Sequence, residues 1–473
     1  MLLFSLFILS FFYNKGINYT DEGYILHAAQ RVHNGEIPYK DFNFIYTPGS
    51  IFVISAGFSL LDESILTGRL IVVVVAVITS LLIYILARSF TKNIFSQFLP
   101  VLLYLSWTPI HINFPLPINF CILTGLLSLY LFTKIIEKNK PLHFFLLGLT
   151  ISCTFLFKQN FGVALIFVFT MLFIVFKKFS RKHISYYVLG LILGFANFLL
   201  YLLLTNSLVQ FINYSFFSFQ EYFPRHTVVA PSIYDSSNFF WSILKIFIYL
   251  SPLIISLLGV IFALDRKNKI LSFAISSVVI SYFLVGIYPS TDYVHISPLL
   301  GLLGLPLITL IQVKKFKIFA FSYMIFLFFT IVGFYTAYYK GFYRWEAPIK
   351  DQKYYLDTPR IMVWSDNKDL PMLVKYIQSN SSLQDYIYFY FYEPMIYFIS
   401  DRKNPIIYLD PFIPDEKQQQ DYISSIEKRK TKLVISNIPE NLWGESSLSK
   451  YILDNYEISA TIAGQMIWKR LSK

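Results

Sequence analysis

The chain has 473 residues, of which 55% are hydrophobic and only 14% charged, with 49 Phe and 35 Tyr. That composition excludes an ordinary soluble domain, and apolar runs of near-membrane length recur from residue 66 to residue 338, as in a polytopic helical membrane protein. The net charge of +12 does not indicate nucleic-acid binding, because much of the basic excess lies in short loops between apolar runs, around Arg88 and Lys92, Lys134 to Lys140, Lys177 to Lys182, Arg266 to Lys269 and Lys314 to Lys317.

The first apolar run, 1–13, has the length of a signal peptide. It lacks a positive leader and a small-residue cleavage site, so a short first helix is expected. A polar segment follows, 14–65, interrupted by the run 48–61. That run begins Pro-Gly and ends Asp62-Glu63; at about fourteen residues it is short for a span and is expected to lie at the outer surface. Further spans are expected at 66–88, 95–111, 116–134, 141–157, 161–176, 184–204, 241–264, 270–287, 295–312 and 317–338, making about eleven with the first. If 48–61 does not cross, the basic loops collect on one side. The amino terminus is then inside the cell membrane and the carboxyl terminus outside.

After residue 338 the long apolar runs stop. Helical patterns at 367–380 and 415–430 alternate with β-rich runs DYIYFYF (385–391), PIIYL (405–409) and KLVIS (432–436). The alternation predicts a small extracytoplasmic α/β domain over 339–473, beside a membrane domain over 1–338. The two cysteines, Cys121 and Cys153, both fall in expected spans, so no disulfide framework serves the loops.

On this topology the outer face carries the polar residues of interest. Asp21 and Glu22 stand a few residues after the first apolar run, where carboxylates are costly unless solvated or functional. Thr20 is the expected helix cap, with the two acids in the first turn favoured by the helix dipole. A capped helix of that kind also presents an acid rigidly. Asp41 is either a second acid of the same site or a solvated loop charge. Lys158, in FLFKQNFG, joins two apolar spans and has no acidic neighbour in sequence. It either snorkels or meets a phosphate at the lipid headgroup level. Arg225 and His226, in EYFPRHTV, are placed to clamp a phosphate or simply to line a loop surface. Asp292 and His295, in TDYVHISP, give a weaker signal, since a His at a span entrance is commonly interfacial. No spacing of His, Cys, Asp or Glu stands out as a metal site, and a divalent metal stays open.

The segment DEGYILHAAQRVHNGEIPYKDFNFIYTPG, followed by TGRLIVVVVAVITSLLIYILAR (67–88), resembles the GT-C superfamily of membrane glycosyltransferases. The likeness is to bacterial members related to protein O-mannosyltransferases and aminoarabinose transferases. FKQNFG and DYVHISPLLGLLGLP are similar to the family's outer-edge segments. The resemblance covers about residues 1–340 and is strongest in the first loop. It implies inverting transfer of a sugar from a polyprenyl-phosphate carrier to a glycan, lipid or protein acceptor. Asp21 falls at the position of the family's general base, Glu22 would position the acceptor or hold Asp21, and cations such as Lys158 and Arg225 would meet the anionic leaving group. Asp41, His226 and His295 complete the expected substrate-binding set.

Two other classes remain. A surface-polysaccharide polymerase or ligase would place its chemistry on Arg225 and His226 rather than on Asp21. A lipid flippase or transporter would carry ionisable residues in mid-span, and the span interiors here are nearly free of them.

Overall fold

A computed structural model describes residues 1–109, 112–176, 179–217, 239–262, 268–287, 293–338, 345–349, 361–364, 369–390, 393–407, 416–436, 446–462 and 464–471. In chain order its helices begin with α1 (Leu2–Ser10), α2 (Asp21–His33), α3 (Gly49–Leu60), α4 (Ile65–Arg88), α5 (Ile94–Trp107), α6 (Pro117–Lys138), α7 (Pro141–Phe157), α8 (Gln159–Val175) and α9 (Arg181–Leu204). They continue with α10 (Leu208–Ile212), a π-helical turn at Asn213–Phe217, α11 (Phe239–Ile261), α12 (Lys269–Gly286), α13 (Tyr293–Leu302), α14 (Gly304–Leu310) and α15 (Lys317–Tyr338).

Among the described residues five helices are long and apolar enough to cross a membrane, and six apolar stretches of 10–17 residues accompany them. The protein is therefore a multi-pass membrane protein. The helix α3 is 12 residues long. At a rise of about 1.5 Å per residue it falls well short of a hydrocarbon core of about 30 Å.

The chain falls into two compact units. The first comprises 1–13, 45–50 and 70–338. Its interior is aliphatic and aromatic, with Leu103, Leu303, Leu307, Leu310, Met324 and Leu327 buried in one cluster. Many polar side chains inside it bond backbone. The Ser152 hydroxyl, for example, lies 3.1 Å from both the Gly148 and Leu191 carbonyls, linking α7 to α9.

The second unit comprises 14–44, 51–69 and 339–473. It contains a two-stranded antiparallel ribbon, β1 (Trp345–Ile349) with β2 (Ile361–Trp364). Its main sheet has four strands, β3 (Ile387–Tyr390), β4 (Leu433–Ser436), β5 (Tyr456–Ile462) and β6 (Gln465–Arg470), in the order β3-β4-β6-β5. The helices α16 (Leu370–Asn380), α17 (Pro394–Ser400), α18 (Glu416–Lys428) and α19 (Ser447–Asn455) complete the unit. The expected runs 385–391 and 432–436 become β3 and β4, which pair in parallel because helices intervene in the chain between them. The run 405–409 does not behave as expected: its described residues, 405–407, form no strand. The sheet is completed instead by the hairpin β5–β6, whose turn places Gly464 at φ +75°. Ile426, Val434, Ile452 and Trp468 are buried together beneath it.

Candidate functional site

In the second unit the chain enters α2 through a tight polar turn. Asn18, not Thr20, supplies the side-chain cap: its Oδ1 accepts from the Asp21 backbone N–H at 2.8 Å and from the Thr20 N–H at 3.1 Å. Thr20 occupies the cap position without a side-chain cap bond. In return the Asn18 N–H donates to Glu22 Oε2 at 3.2 Å, and Asn18 Nδ2 lies 3.4 Å from Asp21 Oδ2. Two residues thus satisfy donors that a helix start leaves open.

Asp21 and Glu22 then part company. Asp21 is half-buried. Glu22 is fully buried and faces Arg69, which is 1% exposed. Arg69 Nε donates to Glu22 Oε1 at 2.7 Å and its Nη2 to Oε2 at 2.8 Å. The same guanidinium donates to the Lys15 carbonyl at 3.0 Å and the Gly16 carbonyl at 2.7 Å. A bidentate pair with its remaining donors satisfied is the geometry in which a buried ion pair is tolerated. The effect is to fix the first turn of α2, and with it Asp21, to the start of α4.

The other face of α2 packs on α17. Gly23 permits it, since a Cβ there would run into the Met395 backbone. Met395 N–H donates to the Tyr19 carbonyl at 3.2 Å. One turn on, His27 stacks on Tyr397 with ring centroids 5.1 Å apart. Its Nδ1 lies 2.9 Å from Gln30 Oε1, while its Nε2 is buried with no hydrogen-bond partner. Burial above all, and then the charge of Arg31, pushes the His27 pKa down to about 3, so the ring is neutral. Gln30 Nε2 donates to Glu63 Oε1 at 2.7 Å and reaches Asp401 Oδ1 at 3.3 Å.

Asp41 has a structural duty in the same unit. Its Oδ2 accepts the Ile37 N–H at 2.7 Å, and its carbonyl accepts from Arg31 Nη2 at 3.0 Å. Arg31 also pairs with Glu36 and lies over the Phe42 ring.

In the first unit, Lys158 is the single extended residue between α7 and α8. Its ammonium lies 5.2 Å from the Tyr46 ring centroid and 5.3 Å from that of Phe161. The two residues after it tie this break to other segments. Gln159 Oε1 accepts the Thr47 N–H at 3.3 Å, and its Nε2 donates to the Ile45 carbonyl at 3.1 Å and the Ser215 carbonyl at 3.3 Å. Asn160 Nδ2 donates to the Val285 carbonyl at 3.1 Å. From the other side, Thr47 Oγ1 donates to the Phe155 carbonyl at 2.5 Å. Gly49 must be small, because a Cβ would stand 2.5 Å from the Leu156 carbonyl oxygen. The YTPG turn and the FKQN break therefore form one packed knot.

Asp21, Glu22 and Asp41 thus belong to the second unit, and Lys158 and His295 to the first. His295 is partly buried in the first turn of α13. Arg225, His226 and Asp292 lie outside the described residues. Among the described residues no group of three His, Cys, Asp or Glu side chains could hold a metal ion. Arg69 and Gln159 are the residues that sequence reasoning did not assign a task. For Arg69 a signal existed, since a cation one turn into an apolar helix needs a buried partner. Gln159 gave none, because an amide beside a turn reads as a surface residue.

Residues 46–202 match the family described as dolichyl-phosphate-mannose-protein mannosyltransferase. The match covers about a third of the chain. The mannosyltransferase match includes Tyr46, Thr47, Arg69, Lys158 and Gln159, while Asp21 and Glu22 precede it. Among solved structures the chain is similar to ArnT from Cupriavidus metallidurans in the apo state, with 11% identity, TM-score 0.59, and coverage of 99% of this chain and 96% of that one. It is equally similar to the same ArnT bound to undecaprenyl phosphate, with 12% identity, TM-score 0.59, and coverage of 100% and 97%. These likenesses show an ArnT-like fold. No curated protein matches the chain. The resemblance to mannosyltransferases and aminoarabinose transferases expected from the sequence therefore holds.

Proposed function

We propose that this protein transfers a sugar, with inversion, from a polyprenyl-phosphate carrier to an acceptor hydroxyl on the extracytoplasmic face of the cell membrane. The observation that carries the proposal is the acid corner. Asp21 is a half-buried carboxylate on a helix turn held by the buried Glu22–Arg69 pair. A general base must be held at a fixed place yet reach the substrate proton, and this arrangement separates the two needs between neighbouring residues. Asp21 accepts the proton of the acceptor hydroxyl as that oxygen attacks the anomeric carbon. The bond to the phosphate oxygen breaks on the opposite face, and the lipid phosphate departs already anionic.

Lys158 suits the leaving phosphate. It sits at a helix break, where an ammonium can reach a headgroup without leaving the helices it joins. The ArnT structure with undecaprenyl phosphate, a lipid phosphate, makes this donor chemistry the natural one for a protein of the same fold. The basic loops between the spans, read by the positive-inside rule, support an extracytoplasmic placement of residues 339–473.

The test is Asp21→Asn in membranes supplied with a polyprenyl-phosphate sugar. Transfer should fall by about 10²- to 10⁴-fold. Protein level should not change, since the Asn18 cap bonds the backbone of residue 21 and the Glu22–Arg69 pair is untouched. Undiminished transfer would overturn the proposal and move attention to Arg225 and His226.

A further inference from the structure

In the first unit, Gln159 bonds the backbone of two distant segments. It is 8% exposed and its amide uses both ends. One end takes the N–H of Thr47, and the other serves the carbonyls of Ile45 and Ser215. The partners are all backbone, and they come from two segments far from residue 159 in the chain. One segment carries Tyr46, whose ring lies under the Lys158 ammonium. The other is the π-helical turn Asn213–Phe217. A buried amide with every bond made to backbone cannot move without leaving polar groups unpaired. Gln159 therefore locks the Ile45–Thr47 strand of chain against the break that carries Lys158.

The position of that ammonium depends on this lock. Lys has a flexible four-carbon stem and acts as a point charge, so its placement must come from its surroundings. Two aromatic faces, Tyr46 and Phe161, are among those surroundings. Phe161 lies in the same helix as Gln159, but Tyr46 is brought in by the loop that Gln159 holds. Release of the loop withdraws the Tyr46 ring from beside the cation.

We infer that Gln159 is a positioning residue for the anion site at Lys158, acting through the Tyr46 ring to fix where a polyprenyl phosphate headgroup is met. The inference rests on the proposed role of Lys158. It concerns the binding of the lipid phosphate and not the proton transfer at Asp21.

The experiment uses the full-length protein purified in detergent and three probes: undecaprenyl phosphate, undecaprenol and inorganic phosphate. Lys158→Met should weaken undecaprenyl phosphate binding by about tenfold or more, as expected for loss of a charge-assisted contact. Gln159→Met, which keeps side-chain length but loses all three bonds, should weaken it by up to about tenfold. The double variant should bind no worse than Lys158→Met alone, because both changes act on one contact. Undecaprenol, which lacks the phosphate, should be indifferent to every change. If Gln159→Met fails to accumulate, Thr47→Val loosens the same loop by removing its bond to Phe155, and the same cycle applies.

Unchanged binding by Gln159→Met, beside weakened binding by Lys158→Met, would overturn the inference and leave the reading of Lys158 intact. Unchanged binding by Lys158→Met would overturn both. Losses that add in the double variant, or a matching loss toward undecaprenol, would make Gln159 a purely structural residue. Inorganic phosphate bound as tightly as the lipid would reassign the site to a free anion.

Discussion

The acid corner at Asp21 and the basic turn at Lys158 solve one problem with different chemistry. In each, the residue proposed to meet substrate is followed directly by a residue that holds the backbone. Glu22 follows Asp21 and is locked by an ion pair with Arg69. Gln159 follows Lys158 and is locked by neutral amide bonds to backbone. The acid corner buries opposite charges at 0% and 1% exposure, so its lock is costly to half-break. The basic turn buries only an amide, so its lock is cheaper to lose and more local in effect.

The comparison breaks first at Arg69. Arg69→Met strands the Glu22 charge in the interior and should cost about 3–5 kcal/mol of stability in the second unit. Thermal unfolding or limited proteolysis of the detergent-solubilised protein would report it, and adding Glu22→Gln should recover part of the loss. If Arg69→Met is no more destabilising than Gln159→Met, the contrast between ionic and neutral locks is wrong.

A smaller effect comes from pH. His27 has its pKa lowered from the ordinary 6.5 to about 3 by burial and by Arg31. An unfolded chain therefore takes up a proton below about pH 6.5 that the folded chain refuses, so stability falls as the pH drops from there toward 3. The slope approaches about 1.4 kcal/mol per pH unit well below 6.5. Melting curves between pH 7 and pH 5 should show this slope, and His27→Phe, which retains a ring against Tyr397, should flatten it. A slope that survives in His27→Phe would place the acid sensitivity elsewhere.

The smallest effect separates turn from substrate contact at Asp41. Asp41→Ala loses the bond to Ile37 N–H and should cost about 1 kcal/mol. Asp41→Asn keeps an acceptor and should retain both stability and transfer. Transfer lost in Asp41→Asn at unchanged stability would support the expected substrate contact of Asp41.

Much of the membrane architecture was legible before the structure. The expected spans 66–88 and 141–157 match Ile65–Arg88 and Pro141–Phe157 closely, because apolar length is a strong signal bounded by charges and prolines. The short run 48–61 became the helix Gly49–Leu60, as its Pro-Gly start suggested. The hairpin at Tyr456–Ile462 and Gln465–Arg470 was missed because its outer face is polar and the intervening sequence carries no Asn-Gly signal. At the candidate site the sequence showed charged residues but not their division of labour. That Glu22 is the buried member and Asp21 the accessible one depends on Arg69, 47 positions away, and pairings at that range have no local signature. The same holds for Gln159 and Thr47, separated by 112 positions.

The seating of α2 on α17 also constrains when the acid corner comes into being. Gly23 meets Met395, His27 meets Tyr397 and Gln30 reaches the Phe398 carbonyl across 368 positions. A ribosome that has inserted the first helices has not yet made the residues on which α2 rests. Until the last fifth of the chain emerges, the helix that presents Asp21 has an unburied face and His27 has no ring to stack on. The packing of the acid corner is therefore completed only after the C-terminal fifth of the chain has been made.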